Sequence, residues 1–107
     1  MDKKVLLDEK NALGRRTLDV WGEENGNLIF DAWDFGDGVE KILGCREYEW
    51  RWTVLAKNVP LFEKALESNL SMMDAIVERF SGDLSGDVGD FLKQHNIPYE
   101  WWSRRGD

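Results

Sequence analysis

Between residues 47 and 54 the chain reads EYEWRWTV, and every second residue is bulky: Tyr48, Trp50, Trp52 and Val54 alternate with Glu47, Glu49, Arg51 and Thr53. Successive side chains of an extended strand point to opposite faces, so a strand sorts these residues into one aromatic face and one charged face. An α-helix would scatter both sets around its axis. The aromatic face therefore asks for a cover, and the charged face for neighbouring strands against which Glu47, Glu49 and Arg51 can pair.

The tripeptide Tyr48-Glu49-Trp50 recurs as Tyr99-Glu100-Trp101, and the two stretches hold four of the six tryptophans. The second copy, in IPYEWWS, predicts another strand, with Pro98 at its first position or on an edge because proline has no N–H to donate. Trp101 and Trp102 are adjacent and must face opposite sides, so at least one lies outside the main core.

The first half carries further strand signals. KVLL (4–7) is a short first strand, followed by a polar loop ending at Gly14. RTLDVWGEE and NLIFDAWDF flank Asn25-Gly26, which predicts a type I′ hairpin with positive φ at both central residues. DFGDGVEKILGC, punctuated by Gly36, Gly38 and Gly44, can hold one helical turn over Val39 to Leu43 but reads more safely as a loop.

After Asn58 the period changes. Asn58 is an expected N-cap and Pro60 suits a first turn, while Leu61, Phe62, Ala65 and Leu66 recur at helical spacing. Ser71 and Asp74 form a variant capping box ahead of Met72, Met73, Ile76, Val77 and Phe80, and Gly82 ends that helix. Val88, Phe91 and Leu92 mark a third helix, closed by Asn96 in a left-handed conformation. The predicted fold is α+β: one domain over 1–107, an antiparallel sheet of about five strands with two to three helices packed on one face.

The chain has 21 Asp and Glu against 14 Lys and Arg, a net charge of −7. That sign repels phosphate backbones, so nucleic acid is not an expected ligand, and it steers the protein toward a basic partner. Cys45 stands alone, which excludes an internal disulfide and any Cys/His metal spacing. Apolar runs are too short for a membrane span, and MDKKVLLDEK lacks the apolar stretch of a signal peptide, so the expected location is cytoplasmic.

No set of residues matches a catalytic template. DAWDFGDG fails the calcium-loop pattern, because counting from Asp34 puts glycines at ligand positions and counting from Asp31 puts Trp33 there. Gly36-Asp37-Gly38 holds a carboxylate where a phosphate would sit, His95 reads as a complement to a helix C-terminus, and Arg104 and Arg105 read as a solvated tail. What remains is an open sheet face bearing carboxylates and indoles. The expected function is an acidic protein-binding module, an immunity or inhibitor protein that neutralises a basic toxin or enzyme through Asp31, Trp33, Glu47, Glu49, Glu100 and Trp102. No cofactor is expected, and the chain is read as a monomer or homodimer. Two alternatives stand beside this reading: a small metal-dependent hydrolase using Asp31, Asp34, Glu49 and Glu100, and a homo-oligomer joined through the tail strand.

The segments DFGDGVEKILG, EYEWRWTV, VPLFEKAL and FLKQHNIPYEWWSR, in this order, resemble a group of small bacterial single-domain proteins of actinobacterial type. The resemblance implies a stand-alone domain with an immunity or inhibitor role, and it brings no catalytic residues across. Asn96 stands where such proteins tend to carry glycine, an exchange compatible with the same turn.

Overall fold

Each tryptophan of the repeated tripeptide finds its place in a five-stranded antiparallel meander, in which every strand pairs with the next along the chain. A computed structural model describes residues 3–106. Its strands are β1 (Lys4–Asn11), β2 (Gly14–Gly22), β3 (Leu28–Phe35), β4 (Glu47–Val54) and β5 (Glu100–Gly106). Its helices are α1 (Asp37–Leu43), α2 (Val59–Leu66), α3 (Met72–Phe80) and α4 (Val88–Gln94), so the α+β expectation holds. The two tripeptide copies lie on neighbouring strands but out of register: Trp50 is opposite Ser103, Trp52 of β4 is opposite Trp101 of β5, and Arg51 is opposite Trp102.

The core sits between one sheet face and the helices. Leu18, Val20, Leu28, Phe30, Ala32 and Val54 supply the sheet side. Phe62 of α2, Phe80 of α3 and Phe91 of α4 supply the other. With Phe30 these rings close a cycle, with centroid distances of 5.7 Å from Phe30 to Phe62, 5.5 Å from Phe62 to Phe91, 5.3 Å from Phe91 to Phe80 and 6.5 Å from Phe80 back to Phe30. The tilted and edge-on pairings suit the ring quadrupoles. Four phenylalanines on four different elements thus tie three helices to the sheet.

Several local expectations hold. Ser71 Oγ accepts a hydrogen bond from the Asp74 amide at 3.2 Å, Val88, Phe91 and Leu92 face inward, and Asn96 has φ 53°. Others are corrected. Asp37–Leu43 is a helix, not a loop, closed by Gly44 at φ 74°. The first strand runs to Asn11 and is joined to β2 by a two-residue turn instead of a long polar loop. Most of β1 is exposed, so it is held by backbone pairing and lacks the alternation that would announce it.

The hairpin between β2 and β3 is real, but only Gly26 takes positive φ (93°). Its amide bonds to the Glu23 carbonyl and Glu23 N–H bonds back to Asn27 O, giving a longer loop than type I′. Asn58 makes no side-chain cap; a 3-10 turn over Ala56–Asn58 runs straight into α2. The Asn27 side chain takes the Ala56 amide there, at 2.8 Å.

Candidate functional site

The pleat divides the singled-out residues between two faces. Asp31, Trp33, Glu47, Glu49, Glu100 and Trp102 all fall on the face away from the helices, as the alternation requires. Asp34 falls on the other face, with its carboxylate 2.8 Å from Arg16 Nε, and so does not join the four-carboxylate cluster considered above.

On the open face, Asp31 and Glu49 are each only 5% exposed although no other element covers them. Their own neighbours shield them. Arg51 Nε donates to Asp31 at 3.3 Å, and Arg104 Nε donates to Glu49 at 3.1 Å. The Arg51 guanidinium lies 5.2 Å from the Trp21 ring and 5.6 Å from the Trp102 ring. Arg104 lies 5.0 Å over Trp33, which is stacked on Phe35 and donates its indole N–H to Asp31 at 3.1 Å. These stacked cations and rings do what a second helical layer would do elsewhere: they take the central carboxylates out of water and satisfy them. Glu47 is half-buried, Glu100 is exposed and Trp102 is 46% exposed, so the accessible members of this set lie on β5. Among the described residues no cluster of three or more His, Cys, Asp or Glu side chains could hold a metal ion.

Burial, together with the hydrogen-bonded Asp31 carboxyl, pushes the Glu49 carboxyl above its ordinary value of 4.5, against the opposing pull of Arg104. A carboxyl with a raised folded pKa holds its proton more tightly when folded. Its contribution to stability is therefore complete below 4.5 and is lost as pH rises through the folded value. Glu49→Gln should remove this term, so the melting temperature of wild type minus that of the variant is expected to fall as pH is raised from 4.5 toward neutrality. Thermal melts of both proteins across that range check it; a difference that rises with pH contradicts the sign.

The helix-side face holds the larger opening. Where α2–α4 stop, the strand residues Tyr48, Trp50 and Trp52, with Trp101 from β5, floor a cleft of about 570 Å³. Tyr48 and Trp50 lie 5.4 Å apart, and Trp50 meets Trp52 edge-on at 6.4 Å. Trp50 and Trp52 thus do two things: they pack against the core along one side and stay open to the cleft along the other. The cover that the aromatic face asks for is thus only partly supplied by helices.

One wall is α1, presenting Val39, Ile42 and Leu43, and the β1–β2 turn adds Leu13. The Gly38 amide bonds to the Leu13 carbonyl at 2.8 Å, which fixes helix against turn. Ile42 is 83% exposed, Trp101 55% and Leu13 54%. Of the polar residues at this end, Arg16 is bonded to Asp34 and Arg15 to Asp8, and Glu9 and Asn11 complete the lining. A smaller opening lined by Gly86, Gly89, Asp90 and Lys93 adjoins across Trp52 and Trp101, with Gly89 packed flat on the Trp52 ring.

Preferring a loop over 34–45 to the helical turn at Val39–Leu43 leaves this wall of the cleft out. The signal for it was the spacing of Val39, Ile42 and Leu43, three and four residues apart, which is that of a helix face.

His95 lies tilted at 48° against Phe91 with ring centroids 4.4 Å apart, and Cys45 is a buried free thiol. No helix among the described residues is long and apolar enough to cross a membrane. Comparison with protein-family models, with curated proteins and with solved structures finds no match to this chain, and the resemblance noted from the motifs gains no support from them.

Proposed function

We propose that this protein is a binding module that captures a basic protein partner in the aromatic cleft, as an inhibitor or immunity protein does. One observation carries the reading: of eight exposed large hydrophobic residues among those described, three, Leu13, Ile42 and Trp101, border the same aromatic-floored cleft. Contiguous exposed apolar surface of this kind marks interaction sites, and scattered single residues do not. Indole faces are the strongest side-chain acceptors for cations, and a net charge of −7 draws a basic surface toward them. The expected guest is a lysine or arginine side chain flanked by an apolar residue.

This moves the docking surface from the open face, where Asp31 and Glu49 already serve Arg51 and Arg104, to the helix-side face. The test is a peptide array probed with the purified protein at low and physiological salt. Hits are expected to combine Lys or Arg with apolar neighbours and to weaken as salt rises. Trp101→Ala should cost such binding about 2 kcal/mol or more, roughly 30-fold, while Trp102→Ala, on the opposite face, leaves it within about twofold. Hits without basic residues, or indifference to Trp101→Ala, would refute the reading.

A further inference from the structure

The two edges of the sheet are guarded unequally. β1 carries an irregularity in register between Val5 and Leu7, lysines at 4 and 10, and contacts from α3 and the neighbouring 3-10 segment. These are the usual protections of an edge against strand addition. β5 lacks the irregularity and the lysines and packs chiefly on β4, its charges being Glu100, Arg104 and Arg105. Within Glu100–Gly106 there is no proline, lysine or break in register, and Trp101 and Trp102 are exposed on opposite faces.

We infer that β5 is the site at which two copies of this chain join, edge to edge and antiparallel, into one continuous sheet of ten strands. The strand sequence EWWSRRG is self-complementary for that pairing. A two-fold axis perpendicular to the sheet keeps faces matched and, with the whole strand overlapped, passes through Ser103. Trp101 then lies opposite Arg105 of the second copy on the helix side, and Trp102 lies opposite Arg104 of the second copy on the open side. The helix side gains two Trp101–Arg105 pairs, while on the open side Arg104 already bonds Glu49 and lies over Trp33. Arg104 and Arg105 also place the positive charge of an acidic chain at the contact, easing the repulsion between two bodies of −7. An alternative register centred on Trp102 would overlap only the five residues 100–104.

The Ser103 axis gives a sharp test. Directly opposed Cα atoms of an antiparallel pair lie about 4.5–5.5 Å apart, within disulfide reach. Ser103→Cys is expected to cross-link to its own copy on mild oxidation. Glu100→Cys, which faces Gly106 across the axis, should not, and neither should wild type, whose Cys45 is buried. Light scattering of the wild type should give the mass of two chains. Arg105→Glu, at an exposed position, should weaken dimerisation by tenfold or more with an unchanged circular dichroism spectrum.

A one-chain mass at every concentration reached, with Ser103→Cys uncross-linked, overturns the inference. So does preferential cross-linking of Trp102→Cys, which would mean the shorter register, or equal cross-linking of Glu100→Cys, which would mean collision. Trp101 borders both this contact and the aromatic cleft, so the two are separated by peptide binding to the Arg105→Glu protein, whose substitution lies outside the cleft lining.

Discussion

Phe30→Ala is expected to cost about 3–5 kcal/mol, enough to bring a domain of this size close to unfolding at room temperature. Phe30 is 0% exposed and is the one member of the phenylalanine cycle that belongs to the sheet. Truncation removes its transfer free energy and leaves a cavity. The cavity is bounded by Phe62 and Phe80, which are anchored on separate helices and cannot both move in to fill it. It also breaks two of the four ring contacts at once, so α2 and α3 lose their shared hold on β3.

Urea denaturation gives the number, with a midpoint shift at unchanged slope expected. The melting temperature should drop by more than about 10 °C. Phe30→Leu, which keeps most of the volume, should cost about 1–2 kcal/mol. A loss below about 2 kcal/mol for the alanine variant would mean that the helices close over the gap and that the cycle is not what holds the two layers together.

That cycle was half legible in the sequence. Phe62, Phe80 and Phe91 are set by helical spacing, and Phe30 by the alternation of NLIFDAWDF, so each could be assigned an inward face from its own segment. Their mutual contact could not, because it depends on how the helices cross the sheet. The same limit governs the site. Asp31, Trp33, Glu47, Glu49, Glu100 and Trp102 do share one face, but parity relates only residues within a strand, and Asp34, grouped with them, falls on the other. Whether a carboxylate on the shared face is free is not local. Glu49 is spent on Arg104, 55 residues away, and Asp31 on Arg51, and only the strand register brings either pair together. The cleft was lost for a different reason: α1 is seven residues long and glycine-flanked, so its composition reads as a turn although its apolar spacing is helical.

Gly14→Ala is expected to be as damaging as the core truncation, for a steric reason confined to the cleft. A Cβ at this position would sit 1.8 Å from the Phe35 carbonyl oxygen and 2.9 Å from its carbon, backbone atoms that cannot swing aside. The residue also holds φ +138°, which side-chain-bearing residues rarely adopt. Gly36 approaches from the other strand so closely that its own Cβ would meet Gly14 Cα at 2.9 Å. The two glycines pass back to back where β2 begins and β3 ends. Relieving the clash means moving the β1–β2 turn away from β3, and that turn carries Leu13, whose carbonyl holds Gly38 at the start of α1.

Strain and overpacking together should cost about 3 kcal/mol or more. Gly86→Ala, with open space around its Cβ, is the control and should change stability by no more than about 0.5 kcal/mol. Amide NMR spectra separate local from global effects: shifts are expected to concentrate at residues 11–15 and 35–43, with the amides of Phe62, Phe80 and Phe91 little moved. Because that displaced segment is one wall of the cleft, the variant should lose binding of basic peptides even at temperatures where it remains folded. A folded Gly14→Ala protein that binds them like wild type would show that the partner is not held between α1 and the tryptophans.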